Sequence, residues 1–415
     1  MTERRNLLEV DGARLWSTIE RSALFGPGKA GGLRRLALSD SDKEMRDQFV
    51  EWCQAAGCAV SVDRVGNIFA RRAGSDDSLA PVLIGSHLDT QAAGGRYDGI
   101  LGVLAGLEIV RTLNGRDIAT RRPIEVVSWS NEEGARFQPP MIASGAFAGV
   151  FDTGWVLEQE DDDGCTFGGE LARIGYAGDA PVGGRALDSY FELHIEQGPI
   201  LEAEEVPLGI VTGGYTSYGL KVDVHGETAH SGPTPMDQRK NALIGAAMLA
   251  VRVNEIGWEH HPTGGKTTVP RLVCWPNKPG ILPEYAQLSI DLRHPEPAVA
   301  DAMIAQVEAA IGPCAEKAKV EIEVVSRWRF GDEVFDPELI ATLKAAAEAQ
   351  DVPWREIQSQ AGHDAYNMTK ITPTALIFTP CKDGITHNEG EHIELDYTLP
   401  GVNVLLNAVL ARADR

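Results

Sequence analysis

The sequence predicts an α/β protein interrupted by an α+β insert. Strand-like and helix-like stretches alternate along most of the chain, the pattern of a sheet covered by helices. Several apolar, strand-like runs end abruptly in polar residues and glycines. Between about Gly213 and Ser326 the texture changes to alternating strands framed by two longer helical patterns. At 415 residues the chain has room for two or three domains of ordinary size.

Ser41-x-x-Glu44 reads as a capping box, after which Met45, Phe49, Trp52 and Cys53 recur at helical spacing and Gly57 closes the helix. Ala59–Val62 and Asn67–Ala70 read as short strands around the turn Val65-Gly66. Val82–Ile84 is a buried strand running into Gly85-Ser86-His87, and Gly99–Leu113 is a helix with an apolar face. Ile124–Trp129 is a second buried strand, ending in Ser130-Asn131-Glu132-Glu133, and Tyr190–Ile195 a third that carries a histidine. Asp161–Asp163 reads as a solvated acidic loop. In the insert, Leu220–His225, Asn241–Asn254, Thr268–Cys274, Ala286–Leu292, Ala298–Ile311 and Val320–Val325 give strand, helix, strand, strand, helix, strand. A helix near Pro337–Gln350, the loop Ser359–Asp364, a strand at Ala375–Phe378 and a last helix from Leu399 follow. The predicted organisation is one domain from 1–212 and 327–415 and an inserted one at 213–326, with Gly213-Gly214 as a hinge at its entry.

Lys and Arg number 38 against 60 Asp and Glu, a net charge of −22. So acidic a chain, with no basic stripe, is a poor partner for a phosphate backbone, and no nucleic acid is expected. The six cysteines are scattered without a CxxC, which reads as reduced thiols in a cytoplasmic protein. The N-terminus has no apolar core of the signal-peptide kind, and the apolar stretch at Ile100–Val110 is short of the ~20 residues needed to cross a bilayer. No membrane is expected either.

The chemistry concentrates where buried strands end, which in open α/β sheets is where ligands bind. Gly85-Ser86-His87-Leu88-Asp89-Thr90, Asn131-Glu132-Glu133-Gly134 and Glu192-Leu193-His194-Ile195-Glu196-Gln197 all lie there. Polar loops add Asp98 and His387. Imidazole and carboxylate together suit Zn²⁺ or Mn²⁺. Two such cations at ~3.5–4 Å can share one bridging carboxylate. One Asp with a His/His pair on one side and a Glu/His pair on the other would make that site. From residue types alone, satisfied core histidines and a solvated Glu-Glu pair remain the alternative.

Gly85-Ser86-His87-Leu88-Asp89-Thr90-Gln91, Gly94-Gly95-Arg96-Tyr97-Asp98-Gly99, Ser130-Asn131-Glu132-Glu133-Gly134-Ala135-Arg136-Phe137 and Leu193-His194-Ile195-Glu196-Gln197-Gly198-Pro199 resemble the amidase branch of the dinuclear-zinc aminoacylase and carboxypeptidase G family. Ala229-His230-Ser231-Gly232, Ala361-Gly362-His363-Asp364-Ala365 and His387-Asn388-Glu389 continue the resemblance, which spans nearly the whole chain in order. That branch contains N-carbamoyl-L-amino acid amidohydrolases, allantoate amidohydrolases and β-ureidopropionases. The resemblance implies a zinc-exopeptidase-like catalytic domain with a mixed sheet flanked by helices, and a ferredoxin-like insert serving as lid and dimerisation domain. It implies two divalent ions per chain, Zn²⁺ first, with Mn²⁺, Co²⁺ or Ni²⁺ as alternatives. His87, Asp98 and His194 would hold one, and Asp98, Glu133 and His387 the other, with Asp98 bridging. Glu132 would be the general base that takes a proton from water and passes it to the leaving nitrogen. Asp89 would fix the His87 imidazole from behind.

On the substrate side, the resemblance implies that Arg293 binds a carboxylate through its planar fork. Asn277, Gln197 and the backbone at Gly362 would assist. His230 would reach the active site of a partner subunit in a homodimer and stabilise developing oxyanion charge, while His225 reads as structural. Gln360 stands where the branch usually has Gly, and Gly214-Tyr215-Thr216-Ser217-Tyr218 lacks an Arg-Trp-like pair, so the departures fall on substrate identity and leave the ligand set intact. The implied activity is hydrolysis of the ureido C–N bond of N-carbamoyl-L-amino acids, a small-molecule substrate class. Allantoate or N-carbamoyl-β-alanine hydrolysis is the alternative. A dipeptidase or aminoacylase is disfavoured by His194 and the Glu-Gln-Gly that follows it, and a non-catalytic binding module by the retained Glu132.

Overall fold

Residues 7–415 are described by the structure, a computed structural model. Twelve strands occur among the described residues: β1 (Ala59–Val62), β2 (Ile68–Arg72), β3 (Val82–His87), β4 (Ile124–Trp129), β5 (Ser189–Ile195), β6 (Leu208–Gly214), β7 (Thr216–His225), β8 (Lys266–Trp275), β9 (Tyr285–His294), β10 (Glu321–Phe330), β11 (Trp354–Ser359) and β12 (Thr374–Thr379). The chain divides into two compact units, one running through Gly213 and resuming at Val334, the other Gly214–Glu333. The second boundary therefore lies seven residues beyond the 326 read from the sequence. The reason is that β10 does not stop at Val325 but stays paired with β7 as far as Phe330, across an irregularity between Val324 and Ser326.

The first unit is built on a mixed sheet in the order β1-β2-β4-β3-β5-β12-β6-β11. Strands β4, β3, β5 and β12 are mutually parallel, whereas β2 and β6 join antiparallel on either side. The parallel strands are buried along their length. That is why they read as continuous apolar runs, since helices cover both faces of such a sheet. Their C-terminal ends share one edge, so His87, the residues after Trp129, and His194 emerge together. Helix Ile100–Gly115 packs on β3. Gly102 lets it come close, because a Cβ there would overlap the Leu193 carbonyl.

The helix Asp40–Ala55 is capped by Ser39, two residues before the Ser41 read from the sequence. Ser39 has the extended backbone a cap requires and its hydroxyl accepts from Asp42 N–H at 3.3 Å. Asp42 closes the start from the other side by accepting from Leu38 N–H at 2.8 Å. Strands β6 and β11, on the far side of β12, carry no periodic signal: β6 ends in glycines, and β11, Trp-Arg-Glu-Ile-Gln-Ser at the sheet edge, neither alternates nor forms an apolar run. The last helix begins at Leu395 rather than Leu399, with Pro400 accommodated inside it.

The second unit is a four-stranded antiparallel sheet in the order β10-β7-β9-β8. Helices Ala242–His260 and Pro297–Ala318 cover one face, where Leu220, Val222, Val224, Leu288 and Ile290 meet Leu249, Val253, Met303 and Val307. Pro297–Ala318 has 22 residues and is apolar enough to span a bilayer by length and composition alone. It buries Ala300, Met303 and Val307 against this sheet.

Behind the parallel strand ends lies a buried ion pair. Arg46 is 1% exposed and donates to Asp42 Oδ2 at 2.7 Å, to the Gly66 carbonyl at 2.7 Å and to Ser130 Oγ at 3.0 Å. Replacing Arg46 by Ala leaves Asp42 buried without its cation. The variant is expected to lose about 3–5 kcal/mol of stability, read as a lowered urea midpoint for the first unit.

Candidate metal centre

Asp98 lies just before helix Ile100–Gly115, only 2% exposed. Its two oxygens face in different directions. Oδ1 is 3.1 Å from His194 Nε2 and 3.8 Å from His87 Nε2. Oδ2 is 3.4 Å from His387 Nε2, which in turn is 3.1 Å from Glu133 Oε2. Two donor sets result, His87–Asp98–His194 and Asp98–Glu133–His387, each with its donor atoms within 4.8 Å of one another. Glu132 Oε2 lies 3.4 Å from His87 Nε2, between the sets and in neither.

The imidazoles are oriented from behind. His87 Nδ1 is 2.9 Å from the Asp89 carbonyl and His194 Nδ1 2.9 Å from the Ile195 carbonyl. A proton on each Nδ1 donates to those carbonyls and leaves Nε2 facing Asp98, the arrangement a metal-binding histidine needs. The Asp89 side chain does something other than the sequence suggests. Its carboxylate is 3.9 Å from His87 Nδ1 but accepts from both Glu132 N–H and Glu133 N–H at 3.3 Å. It positions the Glu-Glu turn, while the imidazole is fixed by the Asp89 backbone. Gln91 then holds Glu133, donating from Nε2 to Oε2 at 2.8 Å and from its N–H to Oε1 at 3.2 Å.

Gln197, expected at the substrate, donates from Nε2 to Asp98 Oδ2 at 2.9 Å. Thr386 donates to the same oxygen at 2.8 Å. Glu391, which sequence reasoning missed, accepts from Tyr97 and Asp98 N–H at 2.9 and 3.1 Å. Burial first, then the charge of Asp98, pushes Glu391 up to about 7. Asn131, Gln197 and His387 all have left-handed backbones, at φ of 54°, 59° and 50°. Such conformations persist only where surroundings impose them, and functional sites are where they gather.

The electrostatics follow from burial and crowding. Burial opposes charge on Asp98, but the His194 hydrogen bond and the neighbouring imidazoles hold its carboxyl well below the usual range. Burial likewise favours neutral His194, yet Asp98 outweighs it and raises that imidazole to about 9. His87 is lowered, chiefly by burial. Glu132 is raised well above the ordinary glutamate value, first by burial and then by Asp364, Glu133, Asp89 and Asp98. Asp364 and Glu192 are buried acids to which the sequence reading gave no role, although both sit in quoted motifs. A third combination, Glu192–His194–His363, also meets the spacing of a donor set. Glu192 is already satisfied by Ser86 Oγ, Tyr190 OH and Ala365 N–H at 2.8–3.0 Å, so this combination is a packing network behind the centre.

Residues 83–411 match the family model of peptidase family M20/M25/M40. The chain belongs to that family. Within it, the similarity is to the hydantoinase/carbamoylase amidase branch. A crystal structure of an amidase of the hydantoinase/carbamoylase family from Burkholderia vietnamiensis superposes with a TM-score of 0.95 at 46% identity, covering 98% of both chains. An N-carbamoyl-L-amino-acid amidohydrolase from Rhizobium meliloti is 43% identical over 98% of this chain and 97% of that protein. Allantoate deiminase 1 from Glycine max is 30% identical over 88% of this chain and 82% of that protein. The M20 chain is thus a hydrolase of the amidase/carbamoylase type acting on C–N bonds, with buried His/Asp/Glu clusters fit for metal.

The remaining residues singled out from the sequence lie elsewhere. Gly362 is half-buried in the loop before helix Asp364–Met368, where Ser359 Oγ accepts from Ala361 N–H at 3.2 Å and lies 3.1 Å from His363 Nε2. Arg293, Asn277 and His230 belong to the second unit. Arg293, on β9, gives its Nε and Nη2 to Asp291 at 2.8 and 3.0 Å. Asn277 is exposed between β8 and β9. His230 is exposed, and its Nδ1 accepts from Gly232 N–H at 3.0 Å, which leaves Nε2–H as a donor.

Gly99 is a tight point of the centre. Its φ is +69°, its N–H donates to His194 Nε2 at 3.1 Å, and a Cβ there would overlap the His87 ring. Gly99→Ala is expected to weaken metal binding at least ~10-fold, the scale of losses when ligand-orienting groups are disturbed. Metal retained after dialysis, measured by elemental analysis at unchanged circular dichroism, checks this.

Proposed function

We propose that this M20 chain hydrolyses the ureido C–N bond of N-carbamoyl-L-amino acids, consuming one water and releasing the amino acid, CO₂ and ammonia. The observation that carries the chemistry is Glu132, a buried carboxylate beside two donor sets that share Asp98. The similarity to the Rhizobium meliloti amidohydrolase supports this substrate class. His87, Asp98 and His194 would hold one divalent ion and Asp98, Glu133 and His387 a second, Zn²⁺ being the ion that imidazole and carboxylate donors suit first. Ions there supply Lewis-acid polarisation and acidify water. Glu132 does the proton work. Its raised pKa matches a group that accepts a proton from water near neutral pH and delivers it to the departing nitrogen. Allantoate is the second reading, favoured by the similarity to the Glycine max deiminase.

Within this reading the Gly214–Glu333 unit acts as lid and dimer partner. Arg293 binds the substrate carboxylate, with Asn277, Gln197 and the backbone at Gly362 assisting. His230, with Nε2–H available, stabilises the oxyanion in the neighbour's site.

Glu132→Gln keeps the shape of the side chain and loses its basicity. It should retain metal and lose ~10²–10⁴-fold in kcat, measured on N-carbamoyl amino acids with allantoate and N-carbamoyl-β-alanine as parallel substrates. Near-normal kcat in a metal-loaded variant removes Glu132 from the role, and turnover of allantoate alone moves the assignment to the second reading. Mixing inactive His230→Ala with inactive Glu132→Gln chains tests the composite site. Each heterodimer should regain one site with both groups intact, and confirmed heterodimers that stay inactive exclude His230 from acting across subunits.

A further inference from the structure

The far end of helix Ile100–Gly115 carries a different kind of polar cluster. There a cleft of about 380 Å³ is lined by Arg14, Ser17, Thr18, Arg21, Trp52 and Arg111. Its volume lies within the range of small-molecule sites. Arg14, Ser17, Thr18 and Arg21 recur at three- and four-residue spacing on helix Gly12–Ser22 and so present one face. Trp52 comes from helix Asp40–Ala55 and Arg111 from Ile100–Gly115.

The cluster is unbalanced in charge. Three guanidiniums line the cleft, and the carboxylates acting on Arg14 are Glu108, fully buried and bound through Nε at 2.9 Å and Nη2 at 2.6 Å, and Asp11 at the helix cap. Arg111 gives Nη1 to the neutral Thr18 hydroxyl at 3.0 Å, and its guanidinium carbon lies 6.0 Å from the centre of the Trp52 ring. Arg21 reaches the neutral amide oxygen of Gln48 at 3.3 Å, and that amide is itself held by Glu51 at 2.7 Å. A local excess of arginine in a chain of net charge −22 runs against the charge of the whole molecule. Guanidiniums that line one cleft suit a phosphoryl group, whose oxygens accept several N–H donors at once. Arg111 lies eleven residues beyond Ile100, roughly 16 Å along the helix axis, so the cleft is separate from the Asp98 centre.

We infer that this cleft binds a small phosphate-bearing molecule, with the phosphoryl group among Arg14, Arg21 and Arg111 and the remainder against Trp52. Calorimetric titration of the metal-loaded full chain with inorganic phosphate and with adenosine monophosphate, at constant ionic strength, tests it. One saturable site per chain is expected, weakened about tenfold or more when Arg21 becomes Glu, since hydrogen bonds to charged groups are of that strength. Arg21 is exposed on its helix, so this variant should keep the wild-type unfolding midpoint. Arg111→Gln, which can still reach Thr18, should give the same loss. Binding by both probes identifies the phosphoryl group as sufficient; binding by the nucleotide alone identifies a ligand that also needs the Trp52 face. No saturable binding at millimolar probe, or binding that both variants leave unchanged, overturns the site.

Discussion

The Asp98 carboxylate is the point at which the first unit converges. It is buried, its Oδ1 faces His87 and His194, and its Oδ2 faces Gln197, Thr386 and His387. Those partners come from the end of β3, from β5, from the turn after β5 and from a loop nearly three hundred residues along the chain. A buried carboxylate is costly unless its oxygens are satisfied, so the loops that satisfy Asp98 are constrained together. The supports extend outward from it. Glu391 holds the Asp98 backbone, Asp89 holds the Glu132-Glu133 turn, and Arg46 reaches Ser130 just before that turn.

Crowding sets the chemistry. Asp89, Asp98, Glu132, Glu192, Asp364 and Glu391 are all buried within this region; burial raises every one of them except Asp98, and repulsion from nearby carboxylates adds to it at Asp89, Glu132, Asp364 and Glu391. Asp98 alone is lowered because it has imidazoles on both sides. Two neighbouring carboxyls are thereby separated in behaviour. Asp98 stays ionised and serves as a shared anion, and Glu132, the residue before Glu133, favours holding a proton. That separation is the usual basis for assigning one carboxyl to charge stabilisation and another to proton transfer.

The second unit answers to a different rule. Its sheet buries one face under two helices, and the outer strand β8 is mostly exposed on the other. Arg293 lies on β9 of this sheet, in register with Ser217 and Lys266 on its neighbours, and Asp291 two residues earlier anchors it.

The buried strands were legible because a parallel sheet covered on both faces leaves long apolar runs, and Ile124–Trp129 was read to the residue. The insert was legible because its sheet alternates and its helices are amphipathic enough to separate from it. Strands β6 and β11 escaped because short strands beside the sheet edge carry neither signal, and the helix cap slipped from Ser39 to Ser41 because two serines two residues apart look alike until the backbone shows which is extended. The residues His87, Asp98, Glu132, Glu133, His194 and His387 could be named from their motifs, since motifs record residue types at fixed local spacing. What the motifs could not record was orientation. That Gln197 turns to Asp98, that Asp89 works through its carbonyl on His87 and through its carboxylate on Glu132 and Glu133, that Glu391 belongs to the centre, and that Arg293 already shares one edge with Asp291 were decided by tertiary structure. Each depends on which atoms remain unsatisfied once distant segments pack, and hydrogen-bond satisfaction in a buried site is a property of the assembled fold.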